Sequence, residues 1–280
     1  MSGQNDDISN RSKLTRLQVE LPVGFLATTG WFKGRGYSRQ LLSHYAAAGW
    51  LESPAHGVFR RPGLPLRWQH VVASLQNVLH LPVHVGGLTA LELQGKGHFL
   101  RLGSAQPVHL YSSSVLPSWV GKLPLADTFV AHRAGLFAET DAPDHVVEDA
   151  GAAWVVPGIG LARITWDAYD TQITCSTLER AFLELLHHAA DAGSIVHADL
   201  VLQGLTTLSP RRLAELLAAC RSVRVKRLFF ALAERCNHQW GAELNPDDFE
   251  LGRGKRQLVR GGRLHPRFQI TLPAELYDAH

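Results

Sequence analysis

Cysteine is scarce in this sequence: Cys175, Cys220 and Cys236 are the only three in 280 residues. They are odd in number, widely spaced and lack a CxxC, which argues against a disulfide framework and against a thiolate-built zinc site. Small core residues are the expected role. Long apolar runs are lacking too. No uninterrupted stretch approaches the roughly 18 to 20 residues of a membrane span, and the opening MSGQNDDISN has no apolar centre of the kind a secretory signal carries. A soluble, cytoplasmic protein without a membrane partner is therefore expected. The motifs of common chemistry are missing as well. There is no G-x-x-x-x-G-K-[ST] to cradle phosphate, no G-x-S-x-G to expose a nucleophile and no H-E-x-x-H to hold zinc. Gly34/Gly36, Gly158/Gly160 and Gly252/Gly254 each give G-x-G without a third glycine, a pattern that suits turns better than a nucleotide loop.

What is present is enough apolar material to fold. Hydrophobic residues make up 45% and charged residues 19%, so extensive disorder is not expected. At roughly 100 to 200 residues per domain, the length implies two domains. The net charge of +3 is too slight to name a partner. Its distribution is more informative. From Arg11 to Arg61 eight basic residues face only Glu20 and Glu52, an excess of six. Asp127, Glu139, Asp141, Asp144, Glu148 and Asp149 then face a lone Arg133. Basic residues return in Arg211, Arg212, Arg221, Arg224, Lys226 and Arg227, and again in Arg253, Lys255, Arg256, Arg260, Arg263 and Arg267. Such stripes are either solvated faces or contacts for RNA, DNA or an acidic protein.

The basic N-terminal stretch has readable local structure. Residues 12–20 suit a helix, and Phe25, Leu26 and Ala27 suit a short strand. Thr28 or Thr29 can cap a second helix ending near Gly34 and Gly36. Ser38 is a good N-cap for a third, in which Leu41, Leu42, Tyr45 and Ala48 share one face and Gly49 ends the helix. Trp50 to Glu52 and Val58 to Arg60 are strand candidates around a turn at Pro54, Ala55, His56 and Gly57. Helix, strand, helix, helix, hairpin is the order of a winged helix-turn-helix, whose later helix enters the major groove. Ser38, Arg39, Gln40, Ser43 and His44 lie at the start and outer side of the third helix. There Arg39 and Gln40 are able to make bidentate contacts with guanine and adenine edges. His56, Arg60 and Arg61 stand at the wing, where phosphate contact is expected. The alternative is a helical module whose basic face is only solvated.

Pro62 to Pro65 reads as a linker, giving a DNA-binding domain over 1–66 and a larger body over 67–280. The body opens with a helical face of Val71, Leu75, Val78 and Leu79. A second helix opens at Gly86-Gly87. Strands are expected at 98–102, 108–111, 128–132 and 154–166. Ser176 to Glu179 forms a capping box for a helix with Leu178, Ala181, Phe182, Leu185 and Ala189 inward. Ser209-Pro210 opens another, and one more spans 225–236. A strand pair at Leu258-Val259 and Phe268 to Ile270 closes the chain. The fold class is α+β, a winged helix-turn-helix followed by a mixed α/β domain. Among the histidines, His80/His84 and His187/His188 invite a metal reading. Pro82 interrupts the first pair, and helix neighbours point about 100° apart, so no metal and no cofactor is expected.

Several segments together resemble one known family. Leu21 to Thr29, the Gly36-Tyr37-Ser38-Arg39 start of the third helix and Gly57-Val58-Phe59-Arg60-Arg61 are similar to the N-terminal domain of AbiEi-family antitoxins. His84 to Leu93, Thr177 to Glu184 and Leu251 to Arg256 through Gly261-Gly262 are similar to that family's C-terminal domain. The resemblance implies a type IV toxin-antitoxin antitoxin linked to abortive phage infection. It further implies a protein that represses its own operon by binding inverted repeats in promoter DNA. The body would counter a nucleotidyltransferase-like toxin, with or without a stable complex, and Lys255 and Arg256 become candidates for antitoxicity. No catalytic residue is implied. The other readings are a nucleic-acid-processing enzyme positioned by its winged helix and a structural adaptor.

Overall fold

The computed structural model describes residues 13–96, 107–138, 145–149, 152–156, 158–166 and 171–278. Its N-terminal part follows the expected order. Residues 13–20 form helix α1, followed by strand β1 (Leu26–Thr28), α2 (Thr29–Gly34), α3 (Arg39–Ala47), β2 (Glu52–Ala55) and β3 (Val58–Arg60). The strands form an antiparallel sheet in the order β1-β3-β2, with Leu26 opposite Arg60 and Thr28 opposite Val58. Thr28 caps α2 by accepting from Trp31 N at 3.2 Å, and Ser38 caps α3 by accepting from Leu41 N at 3.2 Å. Each cap satisfies an otherwise orphaned N–H. Phe32 is fully buried, edge-on to Tyr37 and Phe59 with ring centroids 5.5 and 5.8 Å away.

The hairpin differs from expectation. Pro54 lies inside β2, and the turn shrinks to His56-Gly57. Proline is accommodated because β2 is an edge strand whose register with β3 breaks between Glu52 and Ala55.

Helix α4 (Trp68–Ala73) runs into a π turn over Ser74–Val78, and this segment joins the two parts of the molecule. On one side the buried Ser74 hydroxyl accepts from Leu26 N of β1 at 2.8 Å. On the other, the Gln76 amide donates to the carbonyls of Val83 and Thr174, both at 2.9 Å, and accepts from Thr174 N at 2.8 Å. Gln76 thus serves as a peptide unit between β4 (Val83–Val85) and β10 (Gln172–Ser176), which share only the register pair Cys175 and Val85.

The body is built on a mixed sheet in the order β6-β5-β4-β10-β9, with β5 at Val108–Ser112, β6 at Phe129–Arg133 and β9 at Leu161–Thr165. Helices α5 (Gly87–Leu93) and α6 (Leu178–His188) belong to this layer, followed by α7 (Ala192–Gln203), α8 (Pro210–Ala219) and α9 (Val223–Cys236). Strands β7 (His145–Asp149) and β8 (Ala152–Val156) pair with each other. Strands β11 (Arg263–His265) and β12 (Ile270–Leu272) precede a last turn, α10 (Glu275–Asp278). Helices mixed with this sheet make the chain α+β.

Several local expectations need correction. The 154–166 stretch is two strands broken at Gly158–Gly160, and β4, β7, β10 and α7 add to the expected elements. The expected strand at 98–102 lies outside the described residues. Thr177, not Ser176, is the N-cap residue of α6. The Ser176 hydroxyl goes to Glu184 and the Glu179 carboxylate to Arg212 and Ser209 N, so no capping box forms. At the C-terminus β11 and β12 replace the expected 258–259 and 268–270 pair. Leu258 N donates to the Thr271 side chain at 2.8 Å, and Gln269 turns the chain at a φ of 49°.

Candidate nucleic-acid interface and the polar centre of the body

Helix α3 is seated by buried Leu41, Leu42 and Tyr45, which leaves Arg39, Gln40, Ser43 and His44 on its exposed side. The Arg39 and Gln40 side chains make no hydrogen bond with described residues, and the Ser43 hydroxyl donates back to Arg39 O at 3.1 Å. Ser38 is occupied by its cap. The exposed outer side therefore offers one guanidinium, one carboxamide and one imidazole to an incoming partner. His56 is exposed at the hairpin turn.

Arg60 and Arg61 are placed differently. Arg60 holds Glu52 with Nε at 2.7 Å and donates to Leu64 O at 2.9 Å, and only 11% of its side chain is exposed. Arg61 donates to Gln18 O at 2.8 Å and Leu21 O at 3.1 Å, the C-terminal carbonyls of α1 and its exit. Both arginines brace the hairpin against the rest of the domain. Nothing in the sequence pattern distinguishes a bracing arginine from a free one.

The body holds a polar centre that pattern reading missed. Glu184, 1% exposed, accepts from Ser176 Oγ at 2.8 Å, Gly87 N at 3.0 Å and Arg180 Nε at 2.8 Å, and His84 Nε2 lies 3.1 Å away. Burial by itself would raise the Glu184 carboxyl, but hydrogen bonds from His84 and Arg180 outweigh it and hold the group at about 2. His84 is pushed below its ordinary value by burial, so its neutral ring donates to the carboxylate. A Cβ at Gly86 would overlap the Glu184 carboxylate and the Tyr111 ring, which makes glycine obligatory there. The Gly86-Gly87 pair is visible in the sequence, where its pattern signals only a helix start.

From this centre an aromatic row crosses the sheet. His84, Tyr111 and His132 are register partners on β4, β5 and β6, with successive centroids 5.4 and 4.8 Å apart. The His188 ring lies tilted against His132 with centroids 4.0 Å apart, and His109 Nδ1 meets His132 Nε2 at 2.8 Å. Burial and the neighbouring imidazoles push His109 and His188 down to about 4. Of the histidines at 80 and 84, His84 is bound to Glu184 and His80 lies exposed. Among the described residues no three histidine, cysteine or acidic groups meet in a metal geometry.

Most of the basic stripe over 211–227 is engaged within the chain, although Arg211, Arg212 and Arg221 stay exposed. Arg212 pairs with buried Glu179 at 3.0 Å, Arg211 with Glu215 at 3.1 Å, and Arg224 donates to the carbonyls of Leu186, His187 and Ala189 at the end of α6. Buried Arg227 clamps the carbonyls of Leu251, at 2.5 Å, and Gly254, at 2.6 Å. That clamp shapes the loop from which Lys255 and Arg256 are exposed.

The sequence matches two descriptions of one family. Residues 10–102 match the N-terminal domain of the AbiEi antitoxin transcriptional regulators, and residues 105–273 match the transcriptional regulator and AbiEi antitoxin of a type IV toxin-antitoxin system. The chain belongs to the AbiEi antitoxin family. It is thereby a transcriptional regulator and antitoxin by family. No curated protein matches it. Its fold is similar to the crystal structure of the RV2827C protein from Mycobacterium tuberculosis, with 14% identity and a TM-score of 0.51. The similarity covers 95% of this AbiEi antitoxin and 92% of that chain. No helix among its described residues is long and apolar enough to cross a membrane.

Proposed function

We propose that this AbiEi antitoxin represses its own operon through a winged helix-turn-helix over residues 1–66, and that residues 67–280 counter a nucleotidyltransferase-like toxin encoded beside it without catalysis. The exposed row of Arg39, Gln40 and His44 on a capped and firmly seated helix, with no side-chain hydrogen bond from Arg39 or Gln40 to the described residues, supports the DNA-binding half. Arg39 reads guanine and Gln40 adenine in the major groove, with Ser43 and His44 at the groove wall. His56 meets the backbone from the hairpin turn. Arg60 and Arg61, together with the Ser38 cap, act by holding hairpin and helix in position. Lys255 and Arg256 are the antitoxicity candidates of the body, and the toxin is countered with or without a stable complex.

A mobility-shift series with the chain's own promoter, carrying inverted repeats, against random duplex tests the reading. Affinity falls with salt at a log-log slope of about 0.9 per phosphate contacted. Equal binding to promoter and random DNA, or a salt-insensitive interaction, would refute it.

A further inference from the structure

The body contains a cavity of about 710 Å³ remote in role from the α3 face. It lies between the end of the π turn, β9 and β10, the 134–138 segment after β6, and the starts of α6 and α9. Its charge is one-sided. Arg163, Arg180 and Arg221 line it, and no lining residue among those described is an aspartate or glutamate. Glu184 sits behind Arg180 and engages its Nε, so its carboxylate offsets that guanidinium's charge. Arg221 adds a cation that no acid among the described residues offsets.

Arg221 stands out within this cavity. Its backbone is fixed: Arg221 N donates to Leu136 O at 2.8 Å, Ala138 N donates to Ala219 O at 2.8 Å, and Phe137 bridges Cys220. Its guanidinium is exposed and has no partner among the described residues, unlike Arg224 and Arg227 on the following helix, which are bound to carbonyls. The Arg180 guanidinium is pinned by Ile159 O at 2.6 Å and lies 4.8 Å over the Phe137 ring. Arginines presented on a concave, partly apolar wall focus potential and recognise phosphate oxygens in a bidentate manner. The volume lies within the range of small-molecule sites, roughly 300 to 1,000 Å³. Leu81, Ile159 and Leu161 add apolar surface against which a flat ring can lie.

We infer that this cavity binds a nucleoside phosphate, with Arg221 and Arg180 on the phosphate and the apolar wall on the base. The site is independent of the DNA-reading face, and its test reads binding alone. The full chain is titrated by calorimetry, and its melting followed, with ATP, AMP, adenosine and inorganic phosphate at constant ionic strength. ATP or AMP is expected to bind and raise the melting temperature, adenosine and phosphate to bind much more weakly. Because Arg221 is exposed, Arg221→Ala is expected to melt like wild type without ligand while losing about tenfold or more in affinity, and Arg221→Lys to recover part of it. Absence of binding by both nucleotides at millimolar concentration would overturn the inference. So would undiminished binding by Arg221→Ala, or inorganic phosphate binding as tightly as ATP.

Discussion

At the scale of single residues, the structure separates arginines that are offered from arginines that are spent. Arg39 is offered, so Arg39→Ala is expected to lose roughly 1 to 3 kcal/mol of promoter affinity and to relax specificity at one base step, measured by mobility shift on single-base operator variants. Arg61 is spent on the carbonyls of Gln18 and Leu21. Arg61→Ala is therefore expected to weaken all duplexes about equally and to lower the melting temperature as well, a combination that a pure phosphate contact would not produce. The ionised Glu184 is a stronger case. Glu184→Gln leaves the Arg180 guanidinium buried beside a neutral partner, a change on the order of 3 kcal/mol or more in urea unfolding. The same groups set the acid limit. His109 and His188 titrate near 4 when folded, well below the free value, so the folded chain refuses protons that the unfolded chain accepts. Their contribution is complete above the free histidine value, about 6.5, and is lost as pH falls towards 4. Glu184 is depressed too. Its contribution is present above the free carboxylate value and lost as pH falls towards about 2. Urea midpoints should therefore decline steadily below neutrality, and His109→Asn should flatten the decline between pH 6.5 and 4. A midpoint independent of pH over that window would contradict the histidine assignment.

At the scale of elements, the decisive piece is the helix that passes from α4 into its π turn. Its Ser74 and Gln76 face opposite partners, one in the N-terminal sheet and one in the central sheet. Gln76→Ala removes three hydrogen bonds from a site where β4 and β10 have little direct pairing, so a loss of about 2 to 4 kcal/mol is expected in chemical denaturation. Gln76→Glu should not rescue it, because two of those bonds need a donor. The elements that pattern reading found are those with a strong local signal. Ser38 with the 41, 42, 45 spacing predicted α3, and Ser209-Pro210 predicted α8. The elements it missed are short or ambiguous. Strand β4 has three residues, and α7 is apolar on more than one face, although its Asp191 to Ser194 capping box was a usable sign.

At the scale of the whole molecule, repression and antitoxicity are expected to be separable but not at the same stability on each side of residue 66. A fragment over 67–280 that is folded by circular dichroism and cooperative melting should still protect cells from the cognate toxin while no longer repressing the promoter. A fragment over 1–66 lacks Ser74 and the buried Val71 and Leu75, so it should melt lower than one extended to residue 80. Equal melting of the two would show that the α4 segment belongs energetically to the body alone. A folded 67–280 fragment that gives no protection would refute the division of labour.

Local chemistry determined much of this protein. Caps, turn residues and apolar spacing are short-range signals, and they sufficed for the N-terminal element order, for the α+β class and for naming Arg39, Gln40, Ser43 and His44 as an outward face. Charge counting also located the basic segments. Which of those charges are free was decided only by tertiary structure, because a guanidinium finds its carboxylate or carbonyl across a distance that sequence spacing does not encode. Arg60 meets Glu52, Arg212 meets Glu179 and Arg227 meets Leu251 only once the chain has folded. The same holds for the row from Glu184 through His84 and Tyr111 to His132, whose members lie on one helix and three strands and become neighbours through sheet register.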